Sequence, residues 1–124
     1  MKIISTQNAP QAIGPYSQAI IANGMIYTSG QIGLLPNGEM AGNGIVSQAN
    51  QVLNNLKAVL EAGGSSMGNV IKTTIFLADM DDFVPVNEIY AQHFGSHKPA
   101  RSTVAAKTLP KNALVEIECI ALVE

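Results

Sequence analysis

The stretch "LVEIECIALV", Leu114 to Val123, contains no glycine or proline and is rich in β-branched and other apolar residues, which suits a strand. Side chains alternate across a strand, so these residues sort into two sets. Leu114, Glu116, Glu118, Ile120 and Leu122 form one face, and Val115, Ile117, Cys119, Ala121 and Val123 form the other. The second set is wholly apolar, and the first is broken only by two carboxylates. A strand with one wet face alternates between apolar and polar residues, whereas one covered on both sides reads as a near-continuous apolar run. Leu114 to Val123 is therefore expected inside a sheet with something packed on each face.

The rest of the chain supplies one of those covers. From Val46, the residues Ala49, Val52, Leu53, Leu56, Val59 and Leu60 follow three-and-four spacing, while Asn50, Asn54, Lys57 and Glu61 lie off that face. Gly63 and Gly64 end this helix. A second helix is predicted from Asp82, a suitable N-cap with Pro85 in the first turn, and carries Phe83, Val86, Ile89, Tyr90 and Phe94 up to Gly95. "VIKTTIFLA", Val70 to Ala78, joins the helices as a β-branched strand. In "AIIANGMIYTSG", Asn23 and Gly24 separate two apolar runs and suit the type I′ turn of a two-residue hairpin; Asn37 and Gly38 in "LLPNGEM" repeat that chemistry. "STVAAK", Ser102 to Lys107, is a further strand, parted from the last by a turn around Leu109 to Asn112.

This order predicts an α+β domain, with two helices on one face of a mixed sheet. The helices cover only that face. The other requires either a neighbouring copy of the chain, which makes a symmetric homo-oligomer the default, or loops of the same chain.

The 124 residues fit one domain, and a composition 47% hydrophobic and 13% charged provides a real core. A net charge of -2 offers no broad basic field, which counts against nucleic-acid binding through many phosphates. "MKIISTQNAP" has neither the apolar run of a signal peptide nor the arginines of a transit peptide, and no later run reaches membrane-spanning length, so a cytoplasmic location is expected. The single cysteine, Cys119, has no cysteine partner for a disulfide or metal site. No P-loop, dinucleotide-type glycine pattern or nucleophile elbow is present. His93 and His97 have a metal-compatible spacing, but Gly95 interrupts them and no third ligand is near, so two solvated histidines are expected, and cofactor-free chemistry.

A small polar set remains. "KPARST", Lys98 to Thr103, holds the only arginine, Arg101, in a chain with six lysines; its planar fork suits a carboxylate in a way lysine does not. Glu116 and Glu118 share one face of the last strand among apolar neighbours, where a carboxylate must be hydrated, paired or raised in pKa. Spacing does not decide between them. Tyr16 sits on a Gly-Pro loop in "IGPYSQ", and Ser29 and Gly30 end a strand, where glycine lets a ligand approach backbone N–H groups. Singly, each has a plain structural role: a surface ion pair, a solvated strand carboxylate, a strand end.

Together the segments "AIGPYSQA", "YTSGQI", "KTTIFLADMDDF", "VNEIY", "KPARS" and "LPKNALVEIE" run in the same order as in the Rid family of reactive-intermediate deaminases, also called YjgF-type or L-PSP endoribonuclease-like. The chain resembles that family over nearly its whole length, and "PARS" resembles its archetypal imine-deaminase branch. The resemblance implies a chorismate-mutase-like fold, a homotrimer with a central barrel, and an active site at each subunit interface. It also implies hydrolysis of the enamine and imine intermediates released by pyridoxal-phosphate enzymes to 2-keto acids and ammonia, without a cofactor. By matching positions, Arg101 would bind the substrate carboxylate, Glu116 would hold the attacking water, and Tyr16, Asn87, Ser29 and Gly30 would line the pocket. The chain departs from the archetype at Thr103, where the family has cysteine, and at Gly33, where proline is common; both bear on pocket shape. Two other functions use the same residues differently: a non-catalytic sensor of small metabolites, and an RNA-cleaving translation inhibitor, which the acidic balance disfavours.

Overall fold

The computed structural model describes residues 1–124. Its strands are β1 (Lys2–Ile4), β2 (Ala19–Ala22), β3 (Met25–Thr28), β4 (Val70–Leu77), β5 (Ala100–Ala105) and β6 (Val115–Leu122), and its helices are α1 (Ile45–Ala62) and α2 (Phe83–Phe94). One six-stranded sheet runs in the order β1-β2-β3-β6-β4-β5. Only β4 and β5, joined through α2, are parallel; the other neighbours are antiparallel, so the sheet is mixed.

The stretch read first is the sheet's central seam. β6 pairs with β3 on one side, Tyr27 opposite Ile120, and with β4 on the other, Ile75 opposite Ile117 and Phe76 opposite Glu116. Val115, Ile117, Cys119 and Ala121 are buried under the helices, together with Ile75 and Leu77 of β4. The helices meet them with Val52, Leu53, Leu56, Val59 and Leu60 of α1 and Val86, Ile89, Tyr90 and Phe94 of α2. No helix covers the opposite face, where Tyr27 is 43% exposed and Val104 and Leu122 are each 48% exposed. Loops of the same chain therefore leave that face open. No helix is long and apolar enough to cross a membrane.

Several local expectations need correction. A short edge strand, β1, precedes the first hairpin and pairs Ile3 with Ile20; three residues carry too little periodicity to reveal it. The second Asn-Gly pair does not form a type I′ turn: only Gly38 has positive φ, 91°, and its N–H donates to the Leu35 carbonyl at 2.8 Å. The preceding proline, Pro36, holds a different turn. Asp82 precedes α2 without a capping bond. Asp79 caps instead, accepting from the Asp81 N–H at 2.8 Å and opening a 3₁₀ turn, Met80–Asp82, that leads into the helix. β5 also begins two residues before the expected strand and so includes Arg101.

The first hairpin matches its sequence signal, with Asn23 at φ 52° and Gly24 at φ 76° between Ala22 and Met25. Nothing lies within 4 Å of the space a Cβ would occupy at Gly24, so Gly24→Ala tests backbone strain alone. It is expected to lower stability by about 1 kcal/mol in urea unfolding with an unchanged m-value.

Candidate functional site

Arg101 lies on the edge strand β5 opposite Thr73, on the face that carries the helices. Its Nη1 donates to Asn87 Oδ1 at 2.8 Å, and its Cζ stands 5.0 Å from the Tyr90 ring centre and 5.7 Å from that of Phe83. The Tyr90 hydroxyl is itself bonded to Thr73 Oγ1 at 2.7 Å in the core, so the ring under the guanidinium is fixed. Burial pushes the Tyr90 phenol above its ordinary value, and it remains neutral. Asn87 orients the fork without neutralising it, and no carboxylate of this chain pairs with it. Asn87, Tyr90, Phe94, Lys98 and Arg101 line an open cleft of about 440 Å³. The arrangement is an arginine held in place with charge to spare for an anion.

Glu116 lies on β6 facing the other way, into a cleft of about 500 Å³ lined also by Tyr16, Gln18, Ser29, Gly30 and Lys111. Its carboxyl group occupies the space where a Cβ at position 30 would be, so Gly30 has to be glycine for Glu116 to sit there. Ser29 is pinned by its hydroxyl, which donates to the Ser17 carbonyl at 2.5 Å, and by its N–H to the Gln18 carbonyl at 2.9 Å. The N–H of Gly30 makes no backbone bond within the chain, which leaves a donor beside the carboxylate. Burial, and then repulsion from Glu118, raise the pKa of Glu116. A carboxyl group so poised can accept a proton from water and return it.

The expected residues thus fall into two groups. Tyr16, Ser29, Gly30 and Glu116 share one cleft; Arg101 and Asn87 share the other. Thr73, opposite Arg101, and Phe76, opposite Glu116, are three apart on β4, an odd number, so the arginine and the carboxylate leave opposite faces of one sheet. Within a single chain they do not meet. Of the two glutamates left open by spacing, Glu116 enters the cleft and Glu118 stays outside it, exposed. Thr103 stands two residues beyond Arg101 on the same face, opposite Ile75, and lines neither cleft.

Other residues went unassigned. Tyr90 and Phe83 read as core-facing helix residues, and only the choice of tyrosine over phenylalanine at 90 hints at a polar partner. Gln18 is buried and carries the cleft wall: its Oε1 accepts from the Thr6 N–H at 2.6 Å, and its Nε2 donates to the Thr6 and Pro10 carbonyls at 3.1 and 2.7 Å. The histidines are not the solvated pair expected. Both are half-buried, His93 Nε2 bonded to Asn50 Oδ1 at 2.8 Å and His97 Nε2 to the Val70 carbonyl at 2.6 Å. Cys119 is buried on the helix side beside Thr28, and its thiol is pushed up to about 11, chiefly by burial, which makes it a poor nucleophile.

The sequence profile described as Endoribonuclease L-PSP matches residues 6–123. The chain belongs to this family, the Rid proteins. A RutC family protein of Pyrococcus horikoshii is 51% identical to this Rid chain over 99% of its length and 98% of the relative's. The human protein named 2-iminobutanoate/2-iminopropanoate deaminase is 48% identical, covering 98% of this chain and 89% of its own. Among solved structures, E. coli TdcF with bound serine superposes with a TM-score of 0.95 at 44% identity and full coverage of both chains. The Rid fold and its two helices on a mixed sheet are thus shared well above the identity at which likeness is only architectural.

The raised pKa of Glu116 has a consequence for stability in this Rid protein. The folded chain holds the proton more tightly than the unfolded chain, so stability falls as pH rises from the ordinary value of 4.5 through the raised one. Glu116→Gln removes the half-buried charge. It is expected to melt above wild type at pH 7 and together with it near pH 3; a lower melting temperature at pH 7 would contradict the assignment.

Proposed function

We propose that this protein is a 2-iminobutanoate/2-iminopropanoate deaminase, which hydrolyses 2-imino acids and their enamine tautomers, released by pyridoxal-phosphate enzymes, to 2-keto acids and ammonia. The observation that carries the reading is the pair of half-sites on opposite faces of the sheet: an arginine with no carboxylate partner in one, a proton-accepting carboxylate beside a free N–H in the other. The human relative's name supports the reaction class, and the serine bound to TdcF supports a small amino-acid-like ligand.

In this mechanism Arg101, steadied by Asn87 and the Tyr90 ring, takes the substrate carboxylate in a bidentate grip. Glu116 holds a water over the C=N carbon and accepts its proton as the C–O bond forms. The Gly30 N–H and the Tyr16 hydroxyl stabilise the polar atoms of the addition intermediate. Glu116 then returns the proton to nitrogen and, as the C–N bond breaks and ammonia leaves, takes up the hydroxyl proton, so that the C=O bond of the keto acid forms. A protonated imine is already electrophilic, so positioning and charge suffice and no cofactor takes part.

The two half-sites have to be joined by a second copy. An Arg101 cleft that docks on the next chain's Glu116 cleft is a head-to-tail contact, which gives a ring where the rotation between copies closes. We assign a homotrimer, with three equivalent sites at its interfaces and the open sheet faces turned to a central barrel. The buried, unpaired thiol fits a reducing cytoplasm.

Coupling the protein to a threonine dehydratase and following 2-keto acid release tests the reading. Arg101→Lys is expected to lose about nine-tenths or more of the acceleration while melting as wild type does, since an ammonium cannot supply the two-pronged contact. Arg101→Ala and Glu116→Gln are each expected to be inactive, and their mixed oligomers to recover part of the activity, because one interface in the mixture carries both groups. Full activity in the lysine variant, or no recovery on mixing, would sink the proposal.

A further inference from the structure

"LPKNALVEIE" carries a lysine that the mechanism above does not use. Lys111 sits in a turn, Pro110–Asn112, at φ 55° and ψ 27°, and Asn112 follows at φ 54°. This left-handed region is open to glycine and tolerated by asparagine, whose short polar side chain can bond locally; lysine has no such compensation. The surroundings hold it there. Leu109 and Ala113 on either side are buried, Asn112 N–H donates to the Leu109 carbonyl at 3.0 Å, and Ala113 N–H to the Pro110 carbonyl at 3.1 Å. The next residue, Leu114, donates its N–H at 2.8 Å to the buried Gln48 side chain, which in turn donates to the Gly42 carbonyl at 2.9 Å. A glycine would make the same turn with less strain. Strain of this kind, overdetermined by its neighbours, marks positions where the side chain itself is needed.

The side chain is needed for its place. Lys111 is exposed at the cleft that holds Glu116, Ser29 and Gly30, and it is the only cation among the residues lining that cleft. The substrate of the proposed reaction is an anion, whereas Glu116 repels anions, Glu118 beside it adds to that repulsion, and the chain's own Arg101 leaves the opposite face of the sheet. We propose that Lys111 is a substrate-binding residue, held at the cleft mouth by its strained turn, which draws the anionic imino acid in against the charge of Glu116. This rests on the deaminase reading and adds a second cation to it, one that governs capture while Arg101 governs orientation. Charges at the rim of a site act on association and are screened by salt.

The test uses the intact protein with Lys111→Gln, Lys111→Glu, Lys111→Arg and Lys111→Gly, measuring KM and kcat at low and high salt, 2-oxobutanoate binding by calorimetry, and melting temperature. Lys111→Gln is expected to raise KM about fivefold at low salt, Lys111→Glu further, with the change falling on KM and shrinking at high salt. Lys111→Arg restores the wild-type KM. Lys111→Gly melts above wild type yet shows the KM defect, which separates loss of the ammonium from collapse of the turn. KM and 2-oxobutanoate affinity unchanged in the glutamine and glutamate variants at low salt would overturn the proposal. Should the wild type fail to accelerate imine hydrolysis, the deaminase reading falls while calorimetry still decides on Lys111. Salt-sensitive 2-oxobutanoate binding that is lost in Lys111→Gln upholds the role; no binding, or binding indifferent to the substitution, ends it.

Discussion

β6 lies between β3 and β4, and the two-residue period of a strand makes it serve two environments at once. Val115, Ile117, Cys119 and Ala121 hold the core against the helices; Glu116 and Glu118 leave on the other side because they have no alternative. A shift of β6 by one residue would drive both carboxylates under α1 and α2 and expel the core set, so register is fixed by the cost of burying charge. The same constraint that builds the core therefore delivers Glu116 to its cleft. Fold and candidate chemistry share one cause.

Arg101 is positioned by different means. β5 is an edge strand, joined to the sheet only through its parallel pairing with β4, and α2, which connects those two strands, turns Asn87 and Tyr90 toward the guanidinium. The Thr73–Tyr90 bond anchors that helix face to the sheet, with both partners buried. Orientation thus comes from an amide and an aromatic face, neither of which cancels the charge. A carboxylate in place of Asn87 would hold the arginine as firmly and leave less of its charge for a ligand.

Much of this architecture was legible in the sequence because it follows from periodicity. The spacing of Val52, Leu53, Leu56, Val59 and Leu60 marks α1, Asn23-Gly24 marks its hairpin, and the wholly apolar set of β6 marks the face that packs under the helices. What was not legible depends on contacts between distant segments. Asn37-Gly38 looks like Asn23-Gly24 but is flanked by Pro36, whose ring favours another turn. Asp79 takes the capping role from Asp82 because a 3₁₀ turn is inserted ahead of α2. The choice between Glu116 and Glu118 required the cleft, and the division of the candidate site between two faces required the register of β5 and β6 against β4, which no local pattern encodes.

The wall of the Glu116 cleft near the N-terminus hangs on one carboxamide. Gln18 gathers Thr6 and Pro10 through three hydrogen bonds, while Gln11 and Ile13 line the opening just beyond, and Ile13 is 83% exposed. The residues that set the width of the opening are therefore tethered to the sheet without belonging to it. Such a loop can be lengthened, shortened or recoloured while the strands stay as they are. A change in the width of the cleft is then available to a few residues after Pro10, with no demand on the core.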